Sequence, residues 1–206
     1  MSSSNLIRWS GLIAFIGGVL FVIFDVVDFI SFGNQPLSEV ATTGTWIFVQ
    51  GAYIVAAVLI ALGLVGLYMC QVQQVGTLGL VAFVITFIGD MMATGSTWSE
   101  AFFGPWLAEA APELMEANPA GSVITGVILS YLLFALGWFL FGLTSLRAKM
   151  LPSGAAVLLM IGAVLFLVLS FLDLPFTSVV LGAAVAWLGF TLWSSSPSLT
   201  PVSGRA

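Results

Sequence analysis

GLVAFVITFIGD, residues 79–90, has two ungapped counterparts in the same chain: GGVLFVIFDVVD at 17–28 and GAVLFLVLSFLD at 162–173. Each copy opens on Gly (Gly17, Gly79, Gly162), has Val third (Val19, Val81, Val164), Phe fifth (Phe21, Phe83, Phe166) and Asp twelfth (Asp28, Asp90, Asp173). An offset of eleven residues is close to three helical turns, so each Gly shares a helix face with its Asp. Gly, Val and Phe are abundant here and carry little weight. Asp is scarce: three of the four Asp residues occupy the same repeat position, with Asp25 the fourth. The even-numbered helices add a thinner echo in Leu62-Gly63, Leu136-Gly137 and Leu188-Gly189. The repeat predicts three helical hairpins of related packing.

All three copies lie in apolar runs long enough to cross a bilayer. The 206 residues are 60% hydrophobic and 6% charged, with four basic and nine acidic side chains. Soluble domains carry roughly 25% charged residues, so no water-facing coat for a globule can be assembled from this composition. Six apolar segments follow, at 9–32, 46–69, 78–97, 123–146, 155–172 and 176–193, each near the length that a hydrocarbon layer of roughly 30 Å demands. Backbone in hydrocarbon must satisfy its own hydrogen bonds, and the alternation of a barrel strand is missing. The expected fold is an all-α integral membrane protein, a single six-transmembrane helical bundle over 1–206, with the lipid bilayer as its first partner. The first segment exceeds a signal-peptide core in length, contains Asp25 and Asp28 and lacks a small-x-small cleavage site, so it reads as a retained helix.

Placing the N-terminus in the cytoplasm puts Arg8, the Arg147 and Lys149 connection and the Arg205 tail all inside. Glu39, Glu100, Glu109, Glu113 and Glu116 then fall outside. All four basic residues obey the positive-inside bias, which predicts a multi-pass plasma-membrane protein with both termini cytoplasmic. The extracytoplasmic connection 98–122 is the only one long enough to form structure of its own. Trp106, Leu107, Ala110, Ala111, Leu114 and Met115 recur there at helical spacing, with Glu109, Glu113 and Glu116 elsewhere and Pro112 as a break. It reads either as an amphipathic lid or anchor on the outer surface, or as a solvated acidic linker.

Several chemistries are excluded or thinned. Histidine is absent and Cys70 is the single cysteine, which removes imidazole haem ligation, the usual zinc sites, His-based triads and disulfides. P-loop, HExxH, GxSxG and Rossmann signatures are missing. The only lysine, Lys149, lies in a cytoplasmic connection, where it cannot form a retinal Schiff base. No basic patch invites nucleic acid.

The carboxylates remain. Asp25, Asp28, Asp90 and Asp173 all fall toward the outer ends of helices, and no Lys or Arg lies at their level. Ionisable groups at membrane depth are costly and face the bundle interior, a partner or water. Such a group stays protonated, opens to outer water or surrounds a cation. Asp173 beside Pro175, and Asp28 near a helix end, also fit plain helix termination; Asp25 and Asp90 have apolar neighbours on both sides.

The favoured reading is binding or transport of a small cationic or amphiphilic ligand in an outward-facing acidic cavity. Asp90 and a nearby Asp25 would pair with its charge, Asp28 and Asp173 would support them, Gln50 would add an amide, and Tyr53 and Trp98 would form aromatic walls. Trp46 and Tyr131 are further candidates. No organic cofactor is expected; a divalent cation held by the outer carboxylates is the one metal arrangement that the composition offers. The alternatives are a non-catalytic scaffold that binds another membrane protein or a second copy of itself, and a metal-assisted lipid-modifying enzyme.

Overall fold

The computed structural model describes residues 3–33, 35–117, 121–172 and 174–195. Among these residues the chain is all-α. Six longer helices, α1 (Ser3–Phe32), α3 (Gly44–Met69), α4 (Val72–Phe102), α7 (Gly121–Ala148), α8 (Ser153–Phe171) and α9 (Val179–Ser194), are joined by three short ones: α2 (Leu37–Val40), α5 (Gly104–Ala110) and α6 (Pro112–Met115). Five of the six are long and apolar enough to cross a membrane; α9, with 16 residues, is apolar but shorter. Large apolar side chains such as Phe48, Ile88, Leu132, Ile161 and Trp187 are exposed along their flanks. This inside-out surface is what a lipid-facing bundle presents. The protein is a polytopic α-helical membrane protein.

Local chemistry sets the helix ends. Gly33, at φ +49°, closes α1 in the left-handed conformation, its N–H on the Phe29 carbonyl at 3.0 Å. The Thr43 hydroxyl accepts the Trp46 N–H and caps α3. Pro residues stand in the first turns of α5 and α6, where a missing N–H costs nothing. Gly76, with φ +57° and ψ −155°, breaks the ladder inside α4, so a single turn precedes the long span. Hydroxyls within the apolar helices bond back to their own backbone, as Thr86 does to Ala82 and Thr94 to Asp90.

α1 and α4 begin earlier than expected, at Ser3 and Val72, and two further boundary differences bear on the site. α4 continues past residue 97 to Phe102, because the run Gly-Ser-Thr-Trp-Ser at 95–99 stays helical, and this places Glu100 on the helix that carries Asp90. α9 begins at Val179 instead of 176. Pro175 has no N–H to offer, and Phe176 sits at φ +63°. That left-handed conformation costs a non-glycine residue about 1–2 kcal/mol, and the ring packs on Phe29 with centroids 4.9 Å apart.

The six longer helices form a closed ring in chain order: α1 packs on α3, α3 on α4, α4 on α7, α7 on α8, α8 on α9, and α9 returns to α1. Neighbours run antiparallel, and small residues set how closely they approach. A methyl group on Gly18 would meet the Gly182 carbonyl at 2.5 Å and the Ala186 nitrogen at 2.6 Å. Gly63 faces Ala14 across the α1–α3 seam, Gly137 faces Thr86 between α4 and α7, and Gly162 faces Leu181 between α8 and α9. Lipid tails are as apolar as leucine, so contact of this closeness, not hydrophobic transfer, holds the helices together.

The ring's interior is filled over part of its length. From α7, Tyr131, Phe134, Trp138 and Phe141 project inward at spacings of three, four and three; Trp138 and Phe141 are fully buried with Leu64, Leu67, Leu159 and Leu188. Asp25, Asp28, Asp90, Glu100 and the acidic segment of α5 and α6 gather at one end of the bundle. Arg8, Arg147 and Lys149 stand at the other. Arg205 lies outside the described residues.

The close seam between α1 and α9 yields a direct expectation. Gly18→Ala forces backbone apart and should cost about 1–3 kcal/mol, seen as a lower thermal midpoint in detergent. Gly95→Ala, on an exposed stretch of α4 with nothing within 4 Å, should be neutral or gain about 0.5–1 kcal/mol from the lost glycine entropy. Equal behaviour of the two variants would refute close packing at Gly18.

Candidate functional site

A cavity of about 770 Å³ occupies the acidic end of the ring; α1, α3, α4, α7 and α8 contribute to its wall, together with the segment 174–178 that leads into α9. It reaches from Ile60, Phe134 and Phe166 at the depth of the aromatic plug to Gln35 and Glu100 at the rim. Asp90 and Glu100 are ten positions apart on α4, which corresponds to about 15 Å of helix.

Asp25, Asp28, Asp90, Gln50 and Tyr53 all line this space, together with Glu100, Trp46 and Tyr131. The chain brings them from α1, α3, α4 and α7. Trp98 is not among the lining residues: it is 57% exposed on the outside of α4 and packs on Phe102. An aromatic wall from Trp98 is therefore replaced by rings that face inward, among them Phe21, Phe134 and Phe166. Asp173 lies outside the described residues.

The carboxylates have distinct partners. Asp25 is buried, and both its oxygens are engaged: the Tyr53 hydroxyl donates to Oδ1 at 3.2 Å, and the Ser178 backbone N–H donates to Oδ2 at 2.9 Å. Ser178 is the N-cap of α9, so Asp25 supplies from another helix the acceptor that the N3 side chain of a capping box would give, at the positive end of the α9 dipole. Asp90, 3% exposed, accepts one bond, from the Trp138 indole N–H to Oδ1 at 3.0 Å. Its buried Oδ2 has no partner among the described residues, a condition shared by the Ser178 hydroxyl. Asp28 is half-buried and lies within electrostatic range of Asp25, as Glu100 does of Asp28. Asp25 therefore groups with Asp28, and Asp25 and Asp90 bond to separate partners while lining the same cavity. The aligned positions of Asp28 and Asp90 do converge on one space.

A small second core forms a cap beside the mouth. Phe32, Val40, Ala41, Trp46, Val49 and Ala108 bury against one another, joining α2 and α5 to the ends of α1 and α3. The Trp46 indole N–H donates to the Glu100 carbonyl at 3.1 Å. In 104–115 the buried residues are Gly104 and Ala108, with Leu107 and Met115 half-covered, while Trp106, Ala110 and Leu114 are exposed. The apolar stripe read from sequence is thus divided between the bundle and the outside. Glu116 accepts the Ser38 N–H at 2.8 Å and ties α2 to the end of α6. That bond holds its carboxyl below the usual glutamate range, so the tie is present at neutral pH and is lost as pH falls through the lowered value.

Trp138 and Ser178 escaped the sequence reading because their partners are 48 and 153 residues away. One signal for the first was available: the three-four-three spacing of Tyr131, Phe134, Trp138 and Phe141 marks an inward aromatic face on α7. Among the described residues no three His, Cys, Asp or Glu side chains converge on a common point, so the geometry lends a divalent-ion site no support. Comparison with known proteins finds no matching family model, curated protein or solved structure.

The unequal partnering predicts an order of stability. Trp138→Phe strips from Asp90 its one donor among the described residues and should cost about 1–3 kcal/mol. Tyr53→Phe leaves Asp25 its backbone donor and should cost about 0.5–1.5 kcal/mol. Thermal unfolding of both variants in the same detergent checks the ranking, and a larger loss in Tyr53→Phe would contradict it.

Proposed function

We propose that this chain is a six-span plasma-membrane protein that binds, and carries, a small cationic or amphiphilic ligand through an outward-facing acidic cavity. The observation that carries this reading is the lining: Asp25, Asp28, Asp90 and Glu100 share one space of about 770 Å³ with the amide of Gln50 and the hydroxyls of Tyr53 and Tyr131. Arg8, Arg147 and Lys149 lie at the far end of the helices. A charged ligand that balances this lining is a cation. The volume lies within the roughly 300–1,000 Å³ of small-molecule pockets.

Six spans are supported by α9, whose 16 residues make about 24 Å of helix. It packs along α1 from the Gly11–Gly189 contact to the Gly18–Gly182 contact. An even number of spans places both termini on the side of Arg8, Arg147 and Lys149, which the positive-inside bias assigns to the cytoplasm. Three hairpins, α1–α3, α4–α7 and α8–α9, are supported by Gly17 against Ile60 and Gly162 against Leu181, each on its own hairpin partner. Gly79 departs from this pattern: its neighbour is Val75, across the Gly76 break in the same helix.

A second reading is favoured by one specific feature, the two oxygens of Asp25 bonded to Tyr53 and to the start of α9. On that reading the carboxylates pack the bundle, and the protein is a scaffold for a membrane partner or a second copy.

Calorimetric titration of wild type and Asp90→Asn with divalent metals, polyamines and quaternary amines at two pH values separates the two. Cation binding should weaken as the medium acidifies, because protons compete for the same carboxylates. Asp90→Asn should lower the affinity and flatten that pH dependence. The absence of Asp90-dependent binding across the panel would move the assignment to the scaffold.

A further inference from the structure

Asp90 stands deep in the cavity with one oxygen committed and one free. Its Oδ1 accepts the indole N–H of Trp138, a fully buried residue that does not line the cavity. That bond commits Oδ1 and leaves Oδ2, a buried oxygen with no partner among the described residues, on a side chain that lines the cavity. A buried acceptor without a donor is uncommon in a folded protein and marks a place for a donor from outside the chain. Asp25 offers no such vacancy, since each of its oxygens already has a donor.

The walls around Asp90 are aromatic. Phe21 and Tyr53 pack edge to face with centroids 5.7 Å apart, Tyr131 and Phe166 do the same at 5.4 Å, and Phe134 lies against Phe166 at 4.6 Å. All five rings line the cavity. Ring faces attract cations, most strongly where water is excluded, and their carbon surface favours an apolar body.

Three kinds of cation fit this floor poorly. A bare metal ion occupies little of about 770 Å³, and Ca²⁺ or Mg²⁺ requires about six or more oxygens, whereas no three candidate ligands converge among the described residues. A guanidinium group presents parallel donors that match both oxygens of a carboxylate, and Asp90 has only Oδ2 free. A quaternary ammonium has no N–H and would leave Oδ2 unsatisfied.

We infer that the cavity floor takes a protonated amine that keeps at least one N–H and carries an apolar body: the N–H donates to Asp90 Oδ2, and the body lies among Phe21, Tyr131, Phe134 and Phe166. This assignment rests on the cation-binding reading given above and names the class of ligand within it.

The test is calorimetric titration of the purified full-length chain in detergent at pH 7 with five probes: N,N-dimethylbenzylamine, which is protonated there and keeps one N–H; benzyltrimethylammonium, which has none; benzylguanidine; uncharged benzyl alcohol; and Mg²⁺. The tertiary amine should bind at least about tenfold more tightly than each of the other four, since only it combines charge, a single donor and an aromatic body. Asp90→Asn should remove most of its advantage over benzyl alcohol. Phe134→Leu should weaken the tertiary and the quaternary amine alike. The ranking of probes on the wild-type protein decides the matter even where a variant fails to fold. If the quaternary amine, the guanidine or Mg²⁺ binds as well or better in an Asp90-dependent way, the amine assignment is overturned and the cation site stands. If no cationic probe binds more tightly than benzyl alcohol, both are overturned.

Discussion

The approach of α1 to its two neighbours is the contact on which the rest of the bundle depends. On one side Gly11 and Gly18 lie against the backbone of α9; on the other, Ala14 and Ser10 fill the spaces left by Gly63 and Gly66 of α3. Apolar surface gains nothing by leaving lipid for another helix, so backbone closeness must supply the attraction. The α1–α9 seam joins the two ends of the chain's helical series and turns a row of helices into a ring. Closure also carries the Ser178 amide to Asp25, and it encloses the space whose floor is Asp90. A larger side chain at Gly18 therefore acts on the cavity without touching it.

The ring then sorts its polar groups by depth. The aromatic face of α7 plugs the interior, and its Trp138 indole N–H donates to Asp90. Buried polar atoms elsewhere are largely satisfied by their own helices, as with Thr86, Thr94 and Ser130. At the basic end the Gln71 amide donates to the Ser145 hydroxyl at 2.8 Å in the interior, and its Oε1 has no partner among the described residues. The acidic end is different in kind: four carboxylates share an open volume with aromatic rings. Bundle packing alone does not require that arrangement, and so it directs attention to a ligand.

Much of this was legible in the chain because the strongest signals were compositional. Lipid exposure forces apolar runs, and each run stands out against a background with so few charges. The register of Asp28 and Asp90 was legible for the same reason: a scarce residue at a fixed offset is informative, and both line the cavity. What sequence could not supply was direction around the helix axis. Trp98 and Tyr53 look equivalent as aromatics near helix ends, yet one faces outward and the other meets Asp25. The start of α9 was hidden too, because Phe176 continues an apolar run while its backbone adopts a left-handed turn. The pairing of Asp25 with the α9 terminus depends on ring closure across 153 residues, which no local pattern encodes.

On the proposed function the cavity opens at the acidic end, faces outside and stops at the aromatic plug. Single cysteines placed along it in a Cys70→Ser background, and exposed to a membrane-impermeant thiol reagent added outside intact cells, test that claim most directly. Thr94→Cys on the cavity wall should be labelled. Ala156→Cys, fully buried toward the opposite end, should stay unlabelled until the membrane is opened and the protein denatured. Labelling of position 156 from outside, or protection of position 94, would contradict an outward-facing cavity closed at its base.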